Sequence, residues 1–476
     1  MSSIHTLPLS DASPLCRLNV QNMTRRYAAA SLSPLEVAEA ALARASAVQD
    51  RYNAFAFIDS AGALDAAAAA DERWRRGRPL SPIDGVPATI KDIVQVQGWS
   101  VRYGSRSSST AVCGSDAPSV ARLRAAGAVL LGMTTMPEFG WKAVTDNPLH
   151  GITRNPWGPE LTPGGSSGGA AVAAAAGAGV LHLGTDGGGS IRIPAAFCGL
   201  VGHKPSFGRV PAYPGSAFGT LAHIGPIARC VGDVSAMLDA MSGRDLRDWH
   251  QPIGGEPSFP PLALSRARVA YWSTPACGQL QAEVAAVIER ALDLVRSLGV
   301  EIQPFELPDI DLLDVFQKHW FSGAANRLSM VEPALRGQLD PGFVAIAERG
   351  QALSAADLVA AQTRRAEFGA FMDQTMSRFD LLLAPATPLT AFPIASRQPA
   401  GDGAAWTEWA GFSFPLNLSQ HPACVVPCGL SSEGKPVGLQ FIGARGADRQ
   451  LLSLAGQFES LGAFPHLLDS GAEYVR

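Results

Sequence analysis

"GTDGGGSIR", residues 184–192, sets three consecutive glycines directly ahead of one serine. Glycine loses more conformational entropy on folding than any other residue, so a run of three is kept where bare backbone has a use. The run before it, "VLHLG" (180–184), reads as a strand, and before that "AAVAAAAGAG" (170–179) reads as a helix small enough to pack closely on a sheet. The serine therefore stands at the end of a strand, in a turn stripped of side chains. Either it closes a glycine turn, or something must come close to Gly187, Gly188 and Gly189 that a Cβ would block.

Outward from this point, helix and strand patterns alternate. "SPLEVAEAALARAS" (33–46) opens with Ser33 as N-cap, Pro34 at the first helical position and Glu36 closing a capping box. A second helix is expected from Ala63 to Arg76, ending at Gly77 with three arginines near its negative end. "SVARLRAAG" (119–127) reads as helix and "AVLLG" (128–132) as strand; "QAEVAAVIERALDLVRSLG" (281–299) precedes "VEIQPF" (300–305). A helix over Ala355–Phe379 precedes "DLLLAPA" (380–386), and "CVVPCG" and "VGLQFIG" form a strand pair joined by "LSSEGKP". Helices between strands predict an α/β sheet covered on both faces. The least regular stretch, 243–261, is expected to be a surface crossover.

The totals exclude several classes. With 476 residues, 47% of them hydrophobic, the chain can bury a large core. A net charge of −4 points to no nucleic-acid or membrane surface. Seven scattered cysteines are no disulfide framework, and Cys424 with Cys428 lacks the companions of a zinc site, so neither metal nor cofactor is expected. No basic start with an apolar run opens the chain, and the most apolar stretch, 168–181, is too short to span a bilayer. A cytoplasmic protein, monomeric or homodimeric, is the expectation. Only five of the 38 basic residues are lysines, which lends weight to any lysine beside a candidate site.

Three motifs mislead. "GAGVLHLG" lacks the third glycine of a dinucleotide fingerprint and precedes a strand rather than a helix. "GGSSG" (164–168) satisfies a nucleophile-elbow pattern on Ser166, but the preceding "RNPWGPELTPGG" is loop, not strand. "SEGK" (432–435) reads as a hairpin turn.

One pattern uses all the remaining signals. Lys91 in "GVPATIKDIV", "LGMTTMPEFGW", Ser166 in "TRNPWGPELTPGGSSGGAAVAAAAG", Ser190 in "GTDGGGSIRIPAAFCGLVGHKPSFGRVP", and "IGPIARCVGD" follow one another along the chain. In residues, order and spacing the chain resembles the amidase signature family along nearly its whole length, most loosely in its C-terminal third. The resemblance implies one amidase signature domain over 1–476, with a central mixed, twisted sheet covered by helices. The signature core would span about 70–235 and a variable pocket-forming region about 260–476.

It also implies roles. Ser190 would attack the acyl carbonyl, and Lys91 would be the base acting through Ser166, which follows a cis peptide in the family. An unactivated serine needs such a base, and a lysine serves near neutral pH only if its pKa falls by roughly three units. The N–H groups of Gly187, Gly188, Gly189 and Ser190 would form the oxyanion hole, where a side chain would hold the carbonyl away. Ser167, Thr185, Asp186 and Arg192 match the polar shell around these groups. For the substrate pocket, Trp141, Phe316 and Trp320 are the candidates, within variable loops at 315–328 and 387–412 that also carry Phe321, Trp406, Trp409 and Phe412. The substrate class implied is a small or hydrophobic amide, ester or carbamate, with no nucleic-acid or membrane partner. The alternative is the glutaminase subunit of a tRNA-dependent amidotransferase.

Overall fold

The computed structural model describes residues 12–252, 259–396, 405–462, 464, 467 and 468. Among these residues eleven strands form one sheet, in the order Phe55–Ile58, Val129–Thr134, Pro87–Lys91, Leu181–Asp186, His223–Ala228, Val201–Lys204, Ala423–Leu430, Pro436–Ile442, Leu381–Pro385, Val269–Trp272, Ile302–Phe305. The sheet is mixed. Pro87–Lys91 runs parallel to both its neighbours, whereas Leu181–Asp186 meets His223–Ala228 antiparallel. The sheet runs without a break through the chain's two halves, which meet where Val201–Lys204 pairs with Ala423–Leu430.

Alternation along the strands shows why both faces are apolar. Leu381 and Leu383 point into one core, and Leu382 and Ala384 into the other. The first core takes helices Val20–Ala28, Pro118–Ala125, Val231–Met241, Ala282–Arg296 and Asp448–Glu459. The second takes Gly168–Ala175, Arg192–Cys198, Leu312–Ser329, Pro341–Gln351 and Ala355–Arg378.

The capping box at Ser33 and Glu36 is formed as expected, on a helix Pro34–Tyr52. The helix expected from Ala63 begins earlier, at Ser60, because Asp59 accepts from the Gly62 N–H and caps it. The expected strand pair near the C-terminus is antiparallel, with Cys424 opposite Phe441. The crossover at 243–261 falls partly outside the described residues, as does the candidate loop at 387–412.

One expectation is overturned. Residues 315–328 are not a loop but the body of an 18-residue helix, Leu312–Ser329, capped by the Asp311 carboxylate on the Asp314 N–H. Gly323 sits in the middle of this helix, where a glycine is ordinarily unfavourable. A Cβ there would lie 2.6 Å from the Phe218 ring, so the glycine is what lets this helix pack on the loop that carries Phe218.

Candidate active site

Lys91 ends strand Pro87–Lys91, and Thr185 and Asp186 end the neighbouring strand, so all three lie at the carboxyl edge of the parallel part of the sheet. Ligands of open α/β sheets bind at such edges. The Lys91 side chain is fully buried. Its Nζ reaches Ser166 Oγ at 2.7 Å, Ser167 Oγ at 2.9 Å and Thr185 Oγ1 at 2.9 Å. Burial pulls its pKa down, partly offset by the Asp186 charge, to about 7.

Ser166 and Ser167 reach Lys91 from the loop ahead of helix Gly168–Ala175, which Ser167 precedes as its N-cap residue. The Gly165–Ser166 peptide is cis. Glycine at 165 is a matter of space, since a Cβ would sit within 2.8 Å of the Val144 backbone. Ser167 Oγ donates to the Thr185 carbonyl at 3.1 Å, and the Ser167 N–H donates to the Ser190 carbonyl at 3.1 Å. Through that last bond the Ser166–Ser167 loop fixes the backbone of Ser190.

Asp186 shapes the glycine turn. Its carboxylate accepts the Gly189 N–H at 2.7 Å and the Ile191 N–H at 3.1 Å, so the chain from 186 to 191 wraps around it. Arg192 meets the same carboxylate with Nε and Nη2, both at 3.0 Å, and both side chains are fully buried. Burial alone would raise the Asp186 carboxyl; the Arg192 charge and hydrogen bonds from Arg192 and Asn417 outweigh it and hold the group well below the usual carboxylate range. Arg192 further donates to the Ser413 carbonyl, Gln440 Oε1 and Asn417 Oδ1. Asn417 and Gln440 were missed in the sequence. They lie more than 200 residues beyond Arg192, and only the pairing of the two sheet halves brings them together.

The glycines answer a different constraint from the one expected. A Cβ on Gly187 would come within 2.9 Å of the Trp320 ring. On Gly188 it would meet Phe316 Cζ and Trp406 Cη2 at 2.7 Å, and on Gly189 it would meet Ile193 and Ser413 at 2.7 Å. Aromatic rings of the 312–329 helix and of Trp406 occupy the space that side chains on Gly187 and Gly188 would need, and Ile193 with Ser413 fills it at Gly189. The Gly189 N–H is also committed to Asp186 and so is not a free donor. Among the described residues the N–H groups of Gly187, Gly188 and Ser190 have no hydrogen-bond partner.

Ser190, Ser166, Thr185 and Gly187 open on a cavity of about 460 Å³. Among the described residues the Ser190 Oγ makes no hydrogen bond. Of the three expected pocket residues, Trp320 lines the cavity and two do not. Phe316 is buried behind the glycine turn, stacked on Phe414 at 4.7 Å. Trp141 packs on the start of helix Pro341–Gln351, where a Cβ on Gly342 would touch its ring at 2.7 Å. Trp409 and Phe412, from the candidate loop at 387–412, are core residues. The wall is built instead by residues 206–222, between strands Val201–Lys204 and His223–Ala228, and by the first two residues of the latter strand, with Phe218 stacked on Trp320 at 4.0 Å. The proline, glycine and aromatic residues of "GRVPAYPGSAFGT" were the signal for this wall.

Sheet, cavity and lysine–serine cluster define a hydrolase of the amidase class, and comparison with known proteins agrees. The Amidase family profile matches residues 36–452, and the chain belongs to that family. It is 34% identical over 462 residues to an acylamidase of Rhodococcus erythropolis, covering 93% of this chain and 95% of that one. It is 35% identical over 475 residues to a glutamyl-tRNA(Gln) amidotransferase subunit of Chloroflexus aurantiacus, covering 94% and 97%. The crystal structure of a bacterial aryl acylamidase of the amidase signature family superposes with a TM-score of 0.85 at 26% identity, covering 96% of this chain and 99% of that one. The chain is an amide hydrolase with the amidase signature fold. No helix among the described residues is long and apolar enough to cross a membrane.

Proposed function

We propose that the protein hydrolyses the C–N bond of small or hydrophobic amides through an acyl–Ser190 intermediate, with Lys91 as base and Ser166 as relay. The observation that carries this reading is a fully buried Lys91, its pKa near 7, with Nζ 2.7 Å from Ser166 Oγ on the wall it shares with Ser190. Neutral Lys91 takes the Ser166 hydroxyl proton as Ser166 takes that of Ser190, and Ser190 Oγ adds to the carbonyl carbon. Catalytic hydrogen bonds often tighten only in the substrate complex, which is where the Ser190–Ser166 contact forms. The tetrahedral oxyanion accepts from the N–H groups of Gly187, Gly188 and Ser190. The proton then returns along the same path to the leaving nitrogen, the C–N bond breaks, and an amine departs. Water repeats the sequence on the acyl–serine ester and releases the acid.

A carbamate or ester carbonyl presents the same carbon to Ser190, so both fall within the proposed substrate range. The apolar wall of Tyr103, Phe139, Phe207, Phe218 and Trp320 favours aryl or alkyl groups. The second reading, a glutaminase subunit of an amidotransferase, is favoured by the 35% identity to the Chloroflexus chain. One assay separates the two. The isolated chain is given anilides, short aliphatic amides, carbamates and glutamine: turnover of anilides without partners supports the first reading, and turnover confined to glutamine supports the second.

A further inference from the structure

Among the described residues one carboxylate side chain and one guanidinium line the cavity, those of Asp248 and Arg327. Asp248 is occupied, its Oδ2 accepting from the Ala212 N–H at 2.9 Å and its Oδ1 from the His250 N–H at 3.1 Å. Arg327 is not. Its guanidinium carbon lies 4.6 Å from the Tyr103 ring and 4.4 Å from the Phe139 ring, and both rings line the same cavity. Its Nε is buried without a partner, and among the described residues no carboxylate pairs with it. The nearby Glu138 carboxylate is taken, one oxygen by Ser105 Oγ and the other by the Asp340 N–H, both at 2.6 Å. A guanidinium drawn by cation–π attraction to two adjoining rings, and paired with no carboxylate among the described residues, has N–H donors to offer a planar anion.

Position along the helix gives the distance. Trp320 is buried at the cavity floor against Gly187, while Arg327 is half-buried with exposed neighbours Asn326 and Met330, at the mouth. Seven residues separate Trp320 from Arg327, which is two helical turns and about 10 Å along the axis. The cavity thus runs from the serine end to a fixed cation, with apolar walls between.

We infer that Arg327 is a specificity-determining residue, which binds a carboxylate carried by the substrate about 10 Å from the scissile carbonyl and so selects ω-carboxylated amides. The inference rests on the reading of Ser190 as the nucleophile only for which bond is cut; the anion site itself can be read by binding alone. A charge-assisted, bidentate pair here gives about a tenfold to hundredfold preference over a neutral isostere.

The test uses the full-length Ser190→Ala protein, titrated calorimetrically with two matched pairs. One carries the charge on the acyl side (8-anilino-8-oxooctanoate against 8-hydroxyoctananilide), the other on the amine side (8-acetamidooctanoate against N-(8-hydroxyoctyl)acetamide). The carboxylate is expected to bind at least tenfold tighter in one pair, and the side identifies which half of the substrate faces the mouth. Adding Arg327→Gln should collapse the preference, and Arg327→Lys should keep part of it. Equal binding within both pairs overturns the inference, as does a preference surviving in folded Arg327→Gln. If neither variant folds, salt decides: an ion-pair preference shrinks from low to high ionic strength, and one that does not shrink overturns the assignment. Hydrolysis of the same compounds by the wild type keeps the two readings apart. Carboxylate-selective binding with no turnover would sink the proposed function and leave the anion site standing; turnover without selectivity would do the reverse.

Discussion

Replacing Lys91 with methionine keeps the volume of a fully buried side chain and removes the amine that touches Ser166, Ser167 and Thr185. With a pKa of about 7, half of the wild-type molecules carry the neutral amine near pH 7. At an ordinary lysine pKa of about 10.4 the neutral fraction there would be a few hundredths of a per cent, a deficit of about three orders of magnitude. kcat/KM for an amide should therefore rise about tenfold per pH unit below 7 and level off above it. In Lys91→Met the limb should vanish and amide turnover should fall by about 10⁴ or more, since base and acid roles contribute about 10²–10⁴ each. A p-nitrophenyl ester, whose leaving group needs no proton, should lose about 10²–10⁴, so the amide-to-ester ratio falls. The same shift has a consequence for stability. Below pH 7 the folded protein must hold a buried ammonium that the unfolded chain keeps in water, a cost of about 5 kcal/mol. The cost shrinks as pH rises from 7 toward the unfolded-state value, where the neutral native amine no longer has to compete with a protonated unfolded one. Lys91→Met should thus melt higher than wild type at about pH 6, by a margin that narrows toward about pH 9. Stopped assays of a matched amide and ester across roughly pH 5–10, with thermal melts in the same buffers, read both effects. Equal losses on the two substrates with the limb retained would refute the assignment of Lys91 as the base.

Three further substitutions probe the site. Gly188→Ala forces a methyl to within 2.7 Å of Phe316 and Trp406, which displaces the turn: kcat should fall by about 10²–10³ while circular dichroism stays native. Asp186→Asn leaves the buried Arg192 guanidinium without its countercharge, and denaturant titration should show a loss of about 3–5 kcal/mol together with loss of activity. Trp320→Ala removes an aromatic wall of the cavity, so KM for an anilide should rise about tenfold or more, well beyond the change for acetamide, in steady-state assays.

The elements legible in the sequence were those whose signals are local. Ser33, Pro34 and Glu36 marked a helix start, and the apolar run in "DLLLAPA" marked a strand, because caps and periodicity act within a few residues. The lysine–serine cluster could be named from its motifs, although Lys91 and Ser190 lie 99 positions apart, because the intervening blocks came in a recognisable order. The pocket was not legible. Aromatic composition singled out Phe316, Trp141 and Phe412, but burial behind the turn and in the core rather than composition decides where those rings face. Residues 315–328 read in the sequence as a variable loop, whereas they form helix Leu312–Ser329, in which Gly323 makes room for a tertiary contact with Phe218. Asn417 and Gln440 complete the Arg192 network from across the sheet, and no local pattern announces a partner that remote.

Every step of the proposed hydrolysis depends on Ser190, held by Ser167 at the end of the glycine turn, being the residue that becomes acylated. Treatment of the wild-type protein with a fluorophosphonate probe, followed by digestion and tandem mass spectrometry, locates the reactive serine. One adduct is expected, on Ser190, formed faster as pH rises through about 7 and absent from Ser190→Ala. An adduct on Ser166 that persists in Ser190→Ala would contradict the assignment.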